Sequence, residues 1–194
     1  MQKPTLAILA MAFACMLGEA QAEEESRQLG PHEHGHGTLN IAIEGNTLDL
    51  EFEAPGMDVV GFEHEASTPE QKELVEKALK DLGDGIMGLV VLPEAAACKL
   101  ASKDVAVVAE EQHDVKEGQA EDASAPEAEP EDHHNAFHGT YQLTCAAPDL
   151  ITSIDFPFFE HFPNSQELDV TVIDERGQTA YEVKREAPKL ELAR

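Results

Sequence analysis

The stretch PHEHGHG places His32, His34 and His36 at every second position. In an extended segment, residues two apart share a side. The three imidazoles would then stand on one face, and Gly35 and Gly37 would let the backbone fold tightly around an ion. Imidazole nitrogens with nearby carboxylates suit zinc, and also nickel and copper(II). Zinc takes about four ligands in a tetrahedral array, so this stretch supplies most of a site. His64, closing Gly61-Phe62-Glu63-His64, or the later His133, His134 and His138 would complete it on folding. His113, His133 and His134 also lie in a different setting, among or beside the ten carboxylates of residues 110–132. That composition suits a low-specificity cation trap, because each carboxylate makes it easier to hold a divalent ion near the imidazoles. Each feature also has a plainer reading: solvated histidines near a mature N-terminus, and an acidic linker. His161, flanked by Phe159 and Phe162, reads as a packed or edge histidine. Copper(I) is disfavoured because Met57 and Met87 are the only methionines beyond residue 22. A D-x-[DN]-x-[DN]-G calcium loop is missing.

The elements that must position these histidines are legible in outline. Thr38–Glu44 and Thr47–Glu53 alternate apolar and polar residues and flank Gly45-Asn46, which predicts a hairpin. Thr68, Pro69 and Gln71 form a helix start with a capping box. Leu74, Val75, Ala78, Leu79 and Leu82 follow as one apolar face, and Gly83 is expected to end the helix. Ile86–Leu92, Cys98–Ala109, Phe137–Cys145 and Leu150–Phe156 read as strands, with an aromatic-rich turn at Pro157–Pro163. Leu168–Ile173 and Ala180–Lys184 are expected to pair across Glu175–Gln178, and the tail after Ala187 is expected to be loose. The expected fold class is α+β: mainly antiparallel β-sheet with one main α-helix and a disordered acidic and histidine-bearing insert over 110–135.

Charge and targeting signals narrow the setting. The formal net charge is −26, which repels nucleic acid and anionic membranes and attracts cations. Residues 1–22 carry Lys3, an apolar run and Ala20-Gln21-Ala22, the pattern of a secretory signal peptide. The residues before Cys15 fit a lipoprotein signal poorly. Residues 23–194 then form one domain's worth of chain, exported to the periplasm and without membrane insertion. Cys98 and Cys145 remain, and in an oxidising compartment they most simply form one disulfide. On the chain-entropy account it stabilises by on the order of 4 kcal/mol. Two buried thiols are the alternative.

The motifs taken in order resemble the ZrgA family of periplasmic zinc-uptake proteins. They are His32-Glu33-His34-Gly35 before a hairpin, Gly61-Phe62-Glu63-His64 before the helix, Ala97-Cys98 at a strand, and a variable acidic insert. His134-x-x-Phe137-x-x-x-Tyr141-x-x-x-Cys145 closes the set. The resemblance implies periplasmic Zn2+ binding, with His32, His34, His64 and His134 on the matching positions and His36, His133 and His138 close to them. It also implies partnership with a zinc ABC transporter or another periplasmic zinc receptor. Because zinc needs neutral imidazole, affinity is expected to fall as pH drops through roughly 6.5. Two other classes stand beside this one. A metal-dependent hydrolase would use an open zinc position, yet H-x-H-x-D, H-E-x-x-H and G-x-S-x-G are missing. An acidic interaction module would carry its histidines incidentally.

Overall fold

The computed structural model describes residues 33–110 and 134–192. The signal-peptide reading, His32, His113 and His133 lie outside the described residues.

The predicted hairpin forms β1 (His36–Glu44) and β2 (Thr47–Pro55), with Glu44 opposite Thr47 across the Gly45-Asn46 turn. Leu39 faces Phe52, Ile41 faces Leu50 and Ile43 faces Leu48, so one side of the hairpin is continuously apolar and buried. Burying that side is what specifies the register, because a slip by one residue would turn every apolar side chain to water. The one-turn helix α1 (Gly56–Val59) follows, and then the long helix α2 (Pro69–Leu89). At its start Thr68 accepts from the Gln71 N–H, and the Gln71 side chain accepts from the Thr68 N–H. β3 (Cys98–Glu110) pairs antiparallel with β4 (His134–Cys145). β5 (Ser153–Asp155) and the one-turn helix α3 (Phe158–His161) lead to the hairpin β6 (Glu167–Asp174) and β7 (Gly177–Lys184), and β8 (Lys189–Glu191) closes the described chain.

Six strands form one sheet in the order β3-β4-β2-β1-β6-β7, and β5 and β8 form a separate pair. Within the larger sheet β1 and β6 run parallel and every other neighbouring pair is antiparallel. The inner face collects Leu39, Ile41, Leu48, Leu50, Phe52, Phe137, Tyr141, Leu143, Leu168 and Val170. Leu82, Ile86 and Leu89 of α2 and Phe156, Phe158 and Phe159 join the same core. Among the described residues no helix is long and apolar enough to cross a membrane.

The α+β expectation holds, with four local corrections. Gly83 does not end α2, and Ile86–Leu89 is its last turn rather than a strand. Burial of Leu82, Ile86 and Leu89 outweighs the roughly 1 kcal/mol that each helical glycine costs relative to alanine. Leu74, assigned to the apolar face, is exposed. The residues after Ala187 are not loose, since β8 pairs with β5 and Leu190 is buried. His134 and Asn135 do not belong to a flexible insert: they open β4 and pair with Glu110 and Ala109.

Cys98 and Cys145 are directly opposite in the β3–β4 register and are joined by a disulfide. It closes β4 at the end far from His134. Asn46 seals the same end, donating from its side chain to the Cys145 carbonyl and accepting from the Cys145 N–H.

Candidate metal centre

The opposite end of the sheet gathers the start of β1, the end of β2, the start of β4 and the loop after α1. Glu63 sits on that loop. Its Oε1 lies 3.0 Å from His34 Nε2 and its Oε2 lies 2.6 Å from His134 Nδ1. One carboxylate thus accepts from two imidazoles that are one hundred positions apart in the chain. The Glu63 side chain is only 10% exposed, against 58% for His34 and 36% for His134. The negative charge lies beneath and the two rings lie toward solvent. Burial pushes the Glu63 carboxyl up. The hydrogen bonds from His134 and His34 outweigh this and hold it below the ordinary glutamate value.

Close packing sets the position of Glu63. The Asn135 N–H donates to the Glu63 carbonyl at 2.8 Å, tying the loop to the first turn of the β4 ladder. Gly56 admits the loop. A Cβ there would stand 2.6 Å from the Phe62 carbonyl oxygen and 2.8 Å from that of Asn135, closer than atoms tolerate, so only glycine fits between them.

His34 is held differently. It does not lie in an extended strand, because the His36 N–H donates to the Glu33 carbonyl and Gly35 adopts φ +89°. The period-two alignment expected of His34 and His36 is therefore broken at Gly35. Both glycines pack closely against protein. Gly35 is wrapped by protein on both sides, and a Cβ on Gly37 would stand 2.9 Å from Leu168 Cδ2. The Gly35 N–H donates to Asp58 Oδ1 at 2.7 Å, and its carbonyl accepts from the Gln166 and Glu167 N–H groups. Asp58 is 1% exposed. Burial pushes its carboxyl above the ordinary aspartate value, opposed by the hydrogen bonds from Gly35 and Ser165 and by the nearby His34.

The remaining histidines stand elsewhere. His36 is half-buried in β1, opposite Glu167 of β6. The His64 ring stacks on Phe62 and lies at the start of α2. Gln71 Oε1 accepts from the Ser67 and Thr68 N–H groups, so its amide nitrogen faces His64 Nε2 at 3.3 Å. His64 Nε2 is then the acceptor, and Nδ1 donates to the Glu65 carbonyl at 3.0 Å. Both of its ring nitrogens are occupied in this arrangement. His138, on β4, lies 3.6 Å from Glu51, and His161 lies 3.4 Å from Asp81 beside the Phe162 ring. The structure thus brings together His34 and His134, while His36, His64 and His138 stand apart from that pair. Glu63 and Asp58 were not singled out from the sequence. Glu63 adjoins a chosen histidine inside a recognised motif, and that adjacency was the one available signal. Among the described residues no group of three or more His, Cys, Asp or Glu side chains is disposed to hold a metal ion by itself.

Residues 31–192 match the family model described as "ZrgA family zinc uptake protein". A search of curated proteins finds no match. The chain belongs to the ZrgA family of zinc uptake proteins.

Proposed function

We propose that this chain is an exported, non-enzymatic zinc carrier that captures Zn2+ at the His34–Glu63–His134 cluster and supports its uptake by an ABC-type importer. Residues 1–22 would direct export and be removed. Residues 23–194 would act in the periplasm as a single zinc-binding domain, passing the ion to transporter components or to another periplasmic zinc receptor. The observation that carries this reading is Glu63, a nearly buried carboxylate that orients two half-exposed imidazoles from distant parts of the chain. Metal-binding histidines usually give their second ring N–H to a carboxylate, which fixes the tautomer and raises the basicity of the other nitrogen. With His34 Nε2–H and His134 Nδ1–H directed at Glu63, the nitrogens left for an ion are Nδ1 of His34 and Nε2 of His134.

Two nitrogens fall short of the four ligands zinc prefers. His32 and His133 are two residues and one residue away in sequence from His34 and His134, and they are the donors we assign to complete the set. His113 and the carboxylates of 110–132 would concentrate cations nearby. His36, His64 and His138 would serve at most as secondary ligands.

Calorimetric titration of the metal-free mature protein with zinc tests this reading. We expect a stoichiometric site that is lost in the H34A/H134A variant. Binding no tighter than that of an unrelated acidic protein would overturn it.

A further inference from the structure

We propose that Asp58 is the positioning residue of this centre: it sets the orientation of His34 without touching the ion. The inference rests on the zinc-binding reading above and adds a role to a side chain outside the histidine–carboxylate cluster.

Asp58 grips the backbone next to His34. The N–H it accepts belongs to the peptide linking His34 to Gly35, so the 2.7 Å bond fixes the plane on which the His34 backbone ends. The other face of the Gly35 turn is held by the Gln166 and Glu167 N–H groups, which donate to the Gly35 carbonyl at 2.8 and 2.9 Å. The turn is therefore clamped between α1 and the start of β6, with Gly35 at φ +89°. Its closest neighbour would be Gln166 Cγ, 3.3 Å from any added Cβ.

The second Asp58 oxygen extends the clamp. Asp58 Oδ2 accepts from Ser165 Oγ at 3.2 Å. Ser165, fully buried, is anchored by Arg185, whose Nε donates to the Ser165 carbonyl at 2.8 Å. Arg185 also donates to the Phe159 and Phe162 carbonyls at 2.6 and 2.7 Å. A continuous set of hydrogen bonds thus runs from the β7 end through Ser165 and Asp58 to the His34–Gly35 peptide. A buried carboxylate is costly unless it is well satisfied. An apolar side chain would fill this space with less desolvation. What Asp58 supplies is an acceptor aimed at the Gly35 N–H.

The role of Asp58 is geometric, so it must be restored by a side chain of the same shape. In D58N the amide oxygen can accept from the Gly35 N–H and the amide nitrogen can donate to Ser165 Oγ. D58A restores neither bond.

The test uses the mature chain and compares wild type, D58N, D58A and G35A by zinc calorimetry and by the visible absorption of the cobalt(II)-loaded protein. Circular dichroism of the metal-free forms reports the fold. We expect D58A to weaken zinc binding ~10–100-fold, the range for a partner that orients a ligand, and to change the cobalt spectrum at saturation. D58N should stay within ~3-fold of wild type with the wild-type spectrum. Wild-type affinity and spectrum in D58A would overturn the proposal while leaving zinc binding intact. A loss in D58N equal to that in D58A would also overturn it, by showing that charge and not shape is required. If D58A fails to fold, G35A decides. It keeps Asp58 but strains the turn, and unaltered affinity there would overturn the proposal. Absence of zinc binding by wild type would instead sink the underlying reading.

Discussion

His134 and His138 lie four residues apart on the same strand, and each faces a glutamate, yet the two pairs differ in kind. His134 Nδ1 lies 2.6 Å from Glu63, whose side chain is 10% exposed and which also takes His34. His138 Nε2 lies 3.6 Å from Glu51, which is 41% exposed. Glu51 extends from the neighbouring strand β2 on the sheet's outer face, where it also accepts from the Asn40 side chain. A histidine beside a carboxylate is therefore not enough to mark a site. Burial weakens the competition from water, and a long-range loop converts one carboxylate into a shared acceptor for two rings. The pair on the sheet's outer face has neither advantage.

The difference can be broken at the strong pair first. Replacing both imidazoles in H34A/H134A should weaken zinc binding by more than ~100-fold, beyond the range for outer partners, as read by chelator competition. Moving the shared acceptor comes next. G56A forces the Phe62–Glu63 loop away from the start of β4, and E63Q removes the charge while keeping the shape. Each should cost ~10–100-fold in zinc affinity. Deleting residues 111–132 should lower the total zinc bound per chain while leaving the tightest site unchanged by calorimetry. H138A should change the affinity of that site by no more than about 2-fold, because an exposed pair at this separation contributes little.

Acid unfolding gives a further contrast. The folded-state Glu63 carboxyl lies below 4.5 despite its burial, because His134 and His34 donate to it. Its contribution to stability is present above pH 4.5 and is lost as pH falls through the lowered folded value. Asp58 has the opposite sign. Burial raises its carboxyl above 3.8, so protonation of the folded state sets in first and relieves part of the burial cost as pH falls. Urea unfolding of the metal-free protein between pH 6 and 3 should show a shallower acid loss for E63Q than for wild type and a steeper one for D58N.

Much of the frame is legible in the sequence. The alternation of Leu39, Ile41 and Ile43 against Leu48, Leu50 and Phe52 specified the first hairpin, and Thr68 with Gln71 marked the start of α2. These are local signals, because a turn, a cap and a two-residue period lie within a few positions of one another. The C-terminal boundary of α2 is not legible in the sequence, because its signal is not local. Gly83 looks like a stop, and only the pocket that receives Ile86 and Leu89 carries the helix past it. The parallel placement of β6 beside β1 was likewise unreadable, since no local pattern distinguishes it from an antiparallel neighbour.

At the centre, the sequence by itself determined which ligand types are at hand. Histidines with carboxylates and few soft ligands suit zinc, nickel or copper(II) rather than copper(I), and the even pair of cysteines beyond residue 22 points to a disulfide. Only the tertiary structure decided which groups meet. It turned His64 onto Phe62 and the α2 cap, sent Glu63 inward, and buried Asp58 beneath the Gly35 turn. Those outcomes depend on which side of an irregular loop faces the sheet. That is set by contacts such as Asn135 to Glu63 and Gly56 to Asn135, between residues too far apart in the chain for any local pattern to record.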